Sequence, residues 1–157
     1  MRPRIDLILW RHAEAVDLQD GQDDLARVLT AKGERQAARM AAWLNRQLPS
    51  STRVLVSPAR RTQQTAAALD RKCKTVPDLA PGATVEALLH SARWPDAREP
   101  VLVVGHQPTL GLTAAYLLAA EPQQWSVRKG AVWWLRGRER DGTLHVVLHA
   151  VVAPEQV

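Results

Sequence analysis

Phenylalanine is absent from this 157-residue chain, cysteine and tyrosine occur once each, and lysine is scarce, four residues against 17 arginines. Without Phe, six Trp and one Tyr must supply all the aromatic bulk of a core. The lone Cys73 excludes an intramolecular disulfide and a cysteine-based metal cluster, and its setting, DRKCKT at 70–75, carries no nucleophile motif. Long hydrophobic runs are missing too. The N-terminal apolar stretch IDLILW (5–10) has the length of a strand, too short for a signal-peptide core or a membrane span, so the chain is expected to be cytoplasmic with no membrane association. No repeats, linkers or low-complexity tracts interrupt it, which predicts one domain over residues 1–157, long enough to bury a proper core.

What is present is a 46% apolar composition, too high for a disordered chain, and a formal net charge of +5. A basic balance of this size suits polyanions or a phosphorylated substrate. Arginine in excess of lysine favours forked recognition of phosphate or carboxylate, although a GC-rich genome produces the same bias. No Lys/Arg block is interleaved with aromatics, so nucleic acid is not an expected partner.

Short apolar runs alternate with helical patterns, which predicts an α/β sandwich. Strands are read at 5–10, 53–56 and 101–104, with a short one at 74–76. Residues 13–29, rich in Asp, read as a loop or short helical excursion. Thr30 caps a helix that carries Glu34 in its first turn and Ala37, Ala41, Leu44 and Leu48 at helical spacing, up to Pro49. Ser57-Pro58 reads as an N-cap and first-turn proline for a helix over 58–71. A further helix is predicted at 84–91, another follows Pro108, and a hairpin turns at Asp141-Gly142. Trp133 and Trp134, adjacent on a strand, must face opposite sides, so one is a candidate exposed docking residue.

Three of these strands end alike. The first runs into Arg11-His12, the second into SPARR and a helix start, and the third into Gly105-His106 and another helix start. Open α/β sheets bind ligands beyond the carboxyl ends of their strands, and helix N-termini there favour anions. Taken singly, each piece has a structural reading: a surface Arg beside a core His, a cap, a strand-end His. Two imidazoles and two or three guanidiniums gathered together would repel one another without an anion, so a phosphate-type ligand is the economical explanation.

RHA (11–13), SPARRTQQTA (57–66) and VVGHQPTLG (103–111) resemble the three signature segments of the histidine phosphatase superfamily, the phosphoglycerate-mutase-like fold. The likeness is closest to its short bacterial branch, the SixA-type phosphohistidine phosphatases. DLARVLTAKG (24–33) is similar to that branch's D-x-x-R-x-L-T-x-x-G segment, and LAPGA (79–83) matches as well. The resemblance runs from residue 5 to about residue 118. It implies a three-layer α/β sandwich with a mostly parallel central sheet and a site at the carboxyl ends of its strands.

The resemblance also implies roles. His12 would attack phosphorus and form a phosphohistidine enzyme intermediate. Arg11 and Arg61 would hold the phosphoryl oxygens, the family spacing falling on Arg61 and leaving Arg60 variable. His106 would donate to the same oxygens. Arg27 is a substrate-binding candidate whose alternative is a salt bridge to Asp23 or Asp24, and Ser57 reads as a helix cap rather than a ligand. No cofactor or metal is called for, and His90, His145 and His149 form no ligand set. Larger superfamily members use a carboxylic acid to protonate the leaving group. Here Glu14 is a family-typical neighbour, and Asp70, Asp78, Glu86, Asp96 and Glu99 carry nothing that marks one of them as an acid. An imidazole leaving group tolerates that lack better than an alkoxide. The expected substrate is therefore a phosphorylated protein, phosphohistidine above all. The alternatives are a small phosphoester substrate and a phosphoprotein-binding module without catalysis.

Overall fold

Strand β1 (Ile5–Arg11) is buried from Asp6 to Trp10, which is what a strand covered on both faces by helices requires. Its alternation divides the core. Leu7 and Leu9 face one layer with Leu88, Leu110 and Ala114, while Ile8 and Trp10 face the other with Met40, Leu44 and Ala66. Asp6, the polar residue inside the run, accepts a forked pair of hydrogen bonds from Arg136 at 3.0 and 3.3 Å. These coordinates come from a computed structural model and describe residues 4–157. Residues 1–3, the start of the domain predicted over 1–157, lie outside the described residues.

The chain continues through α1 (Ala31–Gln47), β2 (Arg53–Val56), α2 (Arg60–Ala67), β3 (Lys74–Thr75), α3 (Val85–Ser91), β4 (Val101–Gly105), α4 (Thr109–Ala119), β5 (Val132–Arg140) and β6 (Thr143–Val152). The strands form a six-stranded sheet in the order β3-β2-β4-β1-β5-β6. Its first four members are parallel, and β5 and β6 run antiparallel. Helices α1 and α2 cover one face, and α3 and α4 the other. This is the three-layer α/β sandwich with a mostly parallel centre that the sequence pattern and the resemblance predict. In the hairpin, Asp141 and Gly142 both adopt positive φ (52° and 78°), the geometry of a turn whose twist matches its strands.

Two local readings need correction. The helix predicted over 58–71 spans only Arg60–Ala67, its N-cap Ala59 makes no side-chain cap hydrogen bond, and the Ser57 hydroxyl is shared between the Ala59 N–H and His106 Nε2. The tryptophan pair leaves no exposed indole: Trp134 is buried, and half-buried Trp133 lies 6.1 Å from Trp125, centroid to centroid.

Thr30 caps α1 by accepting from the Gly33 N–H at 2.9 Å. Gly33 lets that helix lie against the loop after β1, because a Cβ there would run into the Glu14 carbonyl. Gly33→Ala should thus destabilise the protein by about 1–3 kcal/mol in denaturant unfolding, although alanine is the better helix former. An unchanged or raised midpoint would show that the loop gives way freely.

Candidate active site

Parallel register brings the three strand ends together. β1 pairs with β4 so that Arg11 lies opposite Gly105, and β2 pairs with β4 so that Val56 lies opposite Val104. The chain leaves the sheet in step: His12 N donates to Gly105 O at 3.2 Å and Ser57 N to Val104 O at 3.1 Å. His12 and His106 thus emerge from neighbouring strands with ring centroids 5.4 Å apart. Both are buried, at 6% and 4% exposure, and Arg61 is buried at 4% while Arg60 is exposed. Of the two adjacent arginines, Arg61 is therefore the one turned inward.

The His12 imidazole has its tautomer set by a backbone carbonyl. Nδ1 lies 2.7 Å from Ala13 O, which can only accept, so Nδ1 carries the proton and Nε2 the lone pair. Residue 13 is itself anchored, its N–H donating to Thr65 Oγ1 at 3.0 Å on α2. Burial, followed by the charges of Arg61, Arg11 and Arg27, lowers the His12 pKa to about 4 against the pull of the Ala13 hydrogen bond. Burial and Arg61 together lower that of His106 to about 3. Both rings are neutral at physiological pH.

Ser57, read from the sequence as a cap, is in contact with His106: its Oγ lies 2.7 Å from Nε2. The same oxygen accepts from the Ala59 N–H at 3.3 Å and keeps both a hydrogen and a second lone pair with which to meet Nε2. Among the described residues, five buried side-chain nitrogen or oxygen atoms lack a hydrogen-bond partner, and three of them are Arg11 Nε, Arg61 Nε and His106 Nδ1. Buried polar nitrogens are normally paired, and the two guanidinium Nε–H groups can only donate, so they call for an acceptor.

Asp24 ties the cations together. Its carboxylate accepts from Arg61 Nη2 and from Arg27 Nη1, each at 3.1 Å, and its carbonyl accepts from Arg61 Nη1 at 2.8 Å. Arg27 is therefore drawn into the cluster through the salt bridge weighed as its alternative, and it also donates to Val16 O at 2.8 Å. Burial opposes the charge on Asp24, but hydrogen bonds from Arg27 and Arg61 outweigh it and hold the pKa below the usual carboxylate range. Asp24 is an anchor for Arg61, a part that the sequence hinted at only through the D-x-x-R spacing. Arg11 Nη1 is held by Val127 O at 3.0 Å. Asp70, Asp78, Glu86, Asp96 and Glu99 are all exposed, and Glu14 accepts from the Thr30 hydroxyl at 2.7 Å, where it fastens the start of α1. His90, His145 and His149 are exposed as well, the last edge-on to Trp134.

The neutral imidazoles have a measurable consequence. An unfolded histidine takes up a proton near pH 6.5, whereas folded His12 resists protonation until about pH 4. Between those values the unfolded state binds more protons, so stability falls as pH is lowered through this window. For His12 alone the loss at pH 4 amounts to about 3 kcal/mol. Denaturant unfolding from pH 7.5 to 4 should show this slope, and a His12→Asn/His106→Asn variant should show a flatter one. Equal slopes would mean that the rings titrate normally.

A family profile described as the histidine phosphatase superfamily (branch 1) matches residues 7–84. The phosphohistidine phosphatase SixA of Escherichia coli K12 is 30% identical over 130 residues, 74% of this chain and 76% of that protein. Among solved structures, a candidate phosphohistidine phosphatase SixA from Nakamurella multipartitia superposes with a TM-score of 0.79 at 27% identity, covering 98% of both chains. The protein histidine phosphatase SixA complexed with tungstate gives 0.77 at 25% identity, covering 95% of this chain and 97% of that one.

Proposed function

This chain belongs to the histidine phosphatase superfamily, and from that premise we propose that it hydrolyses phosphohistidine on proteins through a covalent intermediate on His12. One observation carries the site assignment: three buried nitrogens without partners, Arg11 Nε, Arg61 Nε and His106 Nδ1, belong to side chains that cluster with a neutral imidazole whose tautomer leaves Nε2 free. His12 Nε2 attacks phosphorus, and the bond from phosphorus to the substrate's imidazole nitrogen breaks in line with the attack. The departing imidazole takes a proton from water. Water then attacks the phosphoenzyme, His12 Nε2 leaves, and inorganic phosphate is released. Arg11 Nε, Arg61 Nε and His106 Nδ1–H donate to the non-bridging oxygens, whose charge they stabilise most during transfer. In this mechanism Ser57 donates to His106 Nε2 and so leaves the ring proton on Nδ1, and Asp24 with Arg27 keeps Arg61 in place.

The substrate class follows from what the leaving group needs. The one carboxylate in the cluster, Asp24, is held ionised and cannot serve as an acid, and the five acids between the second and third motifs face solvent. Imidazole leaves without such help more readily than an alkoxide does. The identity of the E. coli relative and the tungstate-bound relative support this reading, tungstate being a tetrahedral oxyanion like phosphate. A protein phosphorylated on histidine by phosphoramidate, compared with an aryl phosphate, tests it. The phosphohistidine protein should have the higher kcat/KM. The reverse order would overturn the substrate assignment in favour of a small-phosphoester phosphatase.

A further inference from the structure

A cleft of about 750 Å³ opens beside the catalytic cluster and shares one residue with it, Arg11. One wall is the solvent face of α1, where Lys32, Arg35 and Arg39 recur at helical spacing. The facing wall is the loop before β5, with Arg128 and Lys129. Apart from Arg11, these five cations are exposed, and the three on α1 extend over about 10 Å of helix. Two acids also line the cleft, and both are engaged: Glu155 pairs with Arg128 at 2.6 Å, and Glu14 accepts from the Thr30 hydroxyl. Lys32, Arg35, Arg39 and Lys129 have no ion-pair partner among the described residues. Six cations against two acids leave a formal +4 in this cleft, most of the +5 carried by the whole chain.

Unpaired like charges held together cost Coulomb energy and raise the local concentration of anions. We propose that this cleft is the docking groove for an acidic segment of the phosphoprotein substrate, lying beside the phosphorylated histidine. The inference rests on the reading of the site as a protein phosphohistidine phosphatase. The run of cations is longer than one phosphate group needs, and it joins the catalytic cluster at Arg11, so a chain whose phosphoryl group reaches His12 passes the groove. A nucleic-acid strand suits it less well. The lining has no aromatic side chain on which a base could stack, and Glu14 and Glu155 would oppose a continuous phosphate backbone.

Two short peptides, each bearing one phosphohistidine, test the groove: one flanked by Glu and Asp, the other by Ser and Gln. At low salt the acidic peptide should have a kcat/KM about tenfold higher, and high salt should erase the advantage. Lys32→Glu/Arg35→Glu/Arg39→Glu, all on an exposed helix face, should remove the advantage and leave the neutral peptide within about twofold. Equal turnover of the two peptides by the parent protein, or an equal loss on both in the triple variant, overturns the proposal. Fluorescence anisotropy of the labelled, unphosphorylated acidic peptide reads the groove without turnover. If neither phosphopeptide is hydrolysed while that peptide binds the parent protein and not the triple variant, the groove stands and the phosphohistidine reading falls. Tighter binding of a single-stranded RNA of the same length overturns the protein-segment assignment.

Discussion

Replacing His12 by alanine should abolish phosphate release from a phosphohistidine protein, with kcat lowered by about 10⁵-fold or more. The variant loses the only nucleophile proposed for the site, and no neighbour can substitute. His106 Nε2 is engaged by Ser57 Oγ, and in the proposed mechanism its Nδ1 carries the proton. The fold should survive, because the links that hold this segment are backbone bonds: His12 N to Gly105 O, and Gly130 N to His12 O at 3.0 Å. Removing a ring that resists protonation should even reduce acid sensitivity. Rapid quench of the parent protein with a ³²P-labelled substrate should trap acid-labile phosphate on the enzyme, and the variant should trap none. Equal phosphate release by the two proteins would end the assignment of His12.

Arg61 carries the second large effect. Arg61→Ala removes a buried donor proposed to hold the transferring phosphoryl group, and losing one such donor costs about 10²–10³ in rate. The loss should be compounded at Asp24. With Arg61 gone, its carboxylate keeps only Arg27 and points uncompensated charge at an anionic substrate. Arg61→Lys should recover little of this, because an ammonium cannot bind Asp24 with two nitrogens and still present a third to phosphate. Arg60→Ala, one residue away and exposed, should stay within about twofold of the parent. Full activity in Arg61→Lys would show that the site uses the charge of this residue and not its fork.

Neighbouring residues encode the elements of this fold, and distant ones its site. Apolar runs of strand length, the Thr30 cap, the turn at Asp141-Gly142 and the order of helices and strands are local signals, carried by residues a few positions apart, and they predicted the layered architecture. Where a motif mixes local and distant duties, local signals do not show the distant one. Ser57-Pro58 has the form of a helix start, yet the serine hydroxyl finds a better partner 49 residues away in His106. Arg27 beside two aspartates suggested either a substrate contact or a salt bridge, and the fold makes the salt bridge a brace for Arg61, on a different helix. Glu14, without a role in the sequence, fastens the first turn of α1.

Which residue types stand at the ends of three strands was visible in the chain, because a strand's end and a helix's beginning are written within a few residues. That those three ends adjoin was decided by parallel register, β2 beside β4 beside β1, which no local pattern encodes. Burial was decided there too. It makes two ordinary imidazoles neutral, turns Arg61 inward and Arg60 outward, and leaves three nitrogens without partners, since desolvation depends on what the rest of the chain packs around a group. The basic cleft has the same origin: Lys32, Arg35 and Arg39 make an ordinary solvated helix face until Arg128 and Lys129, about ninety residues later, are folded opposite them.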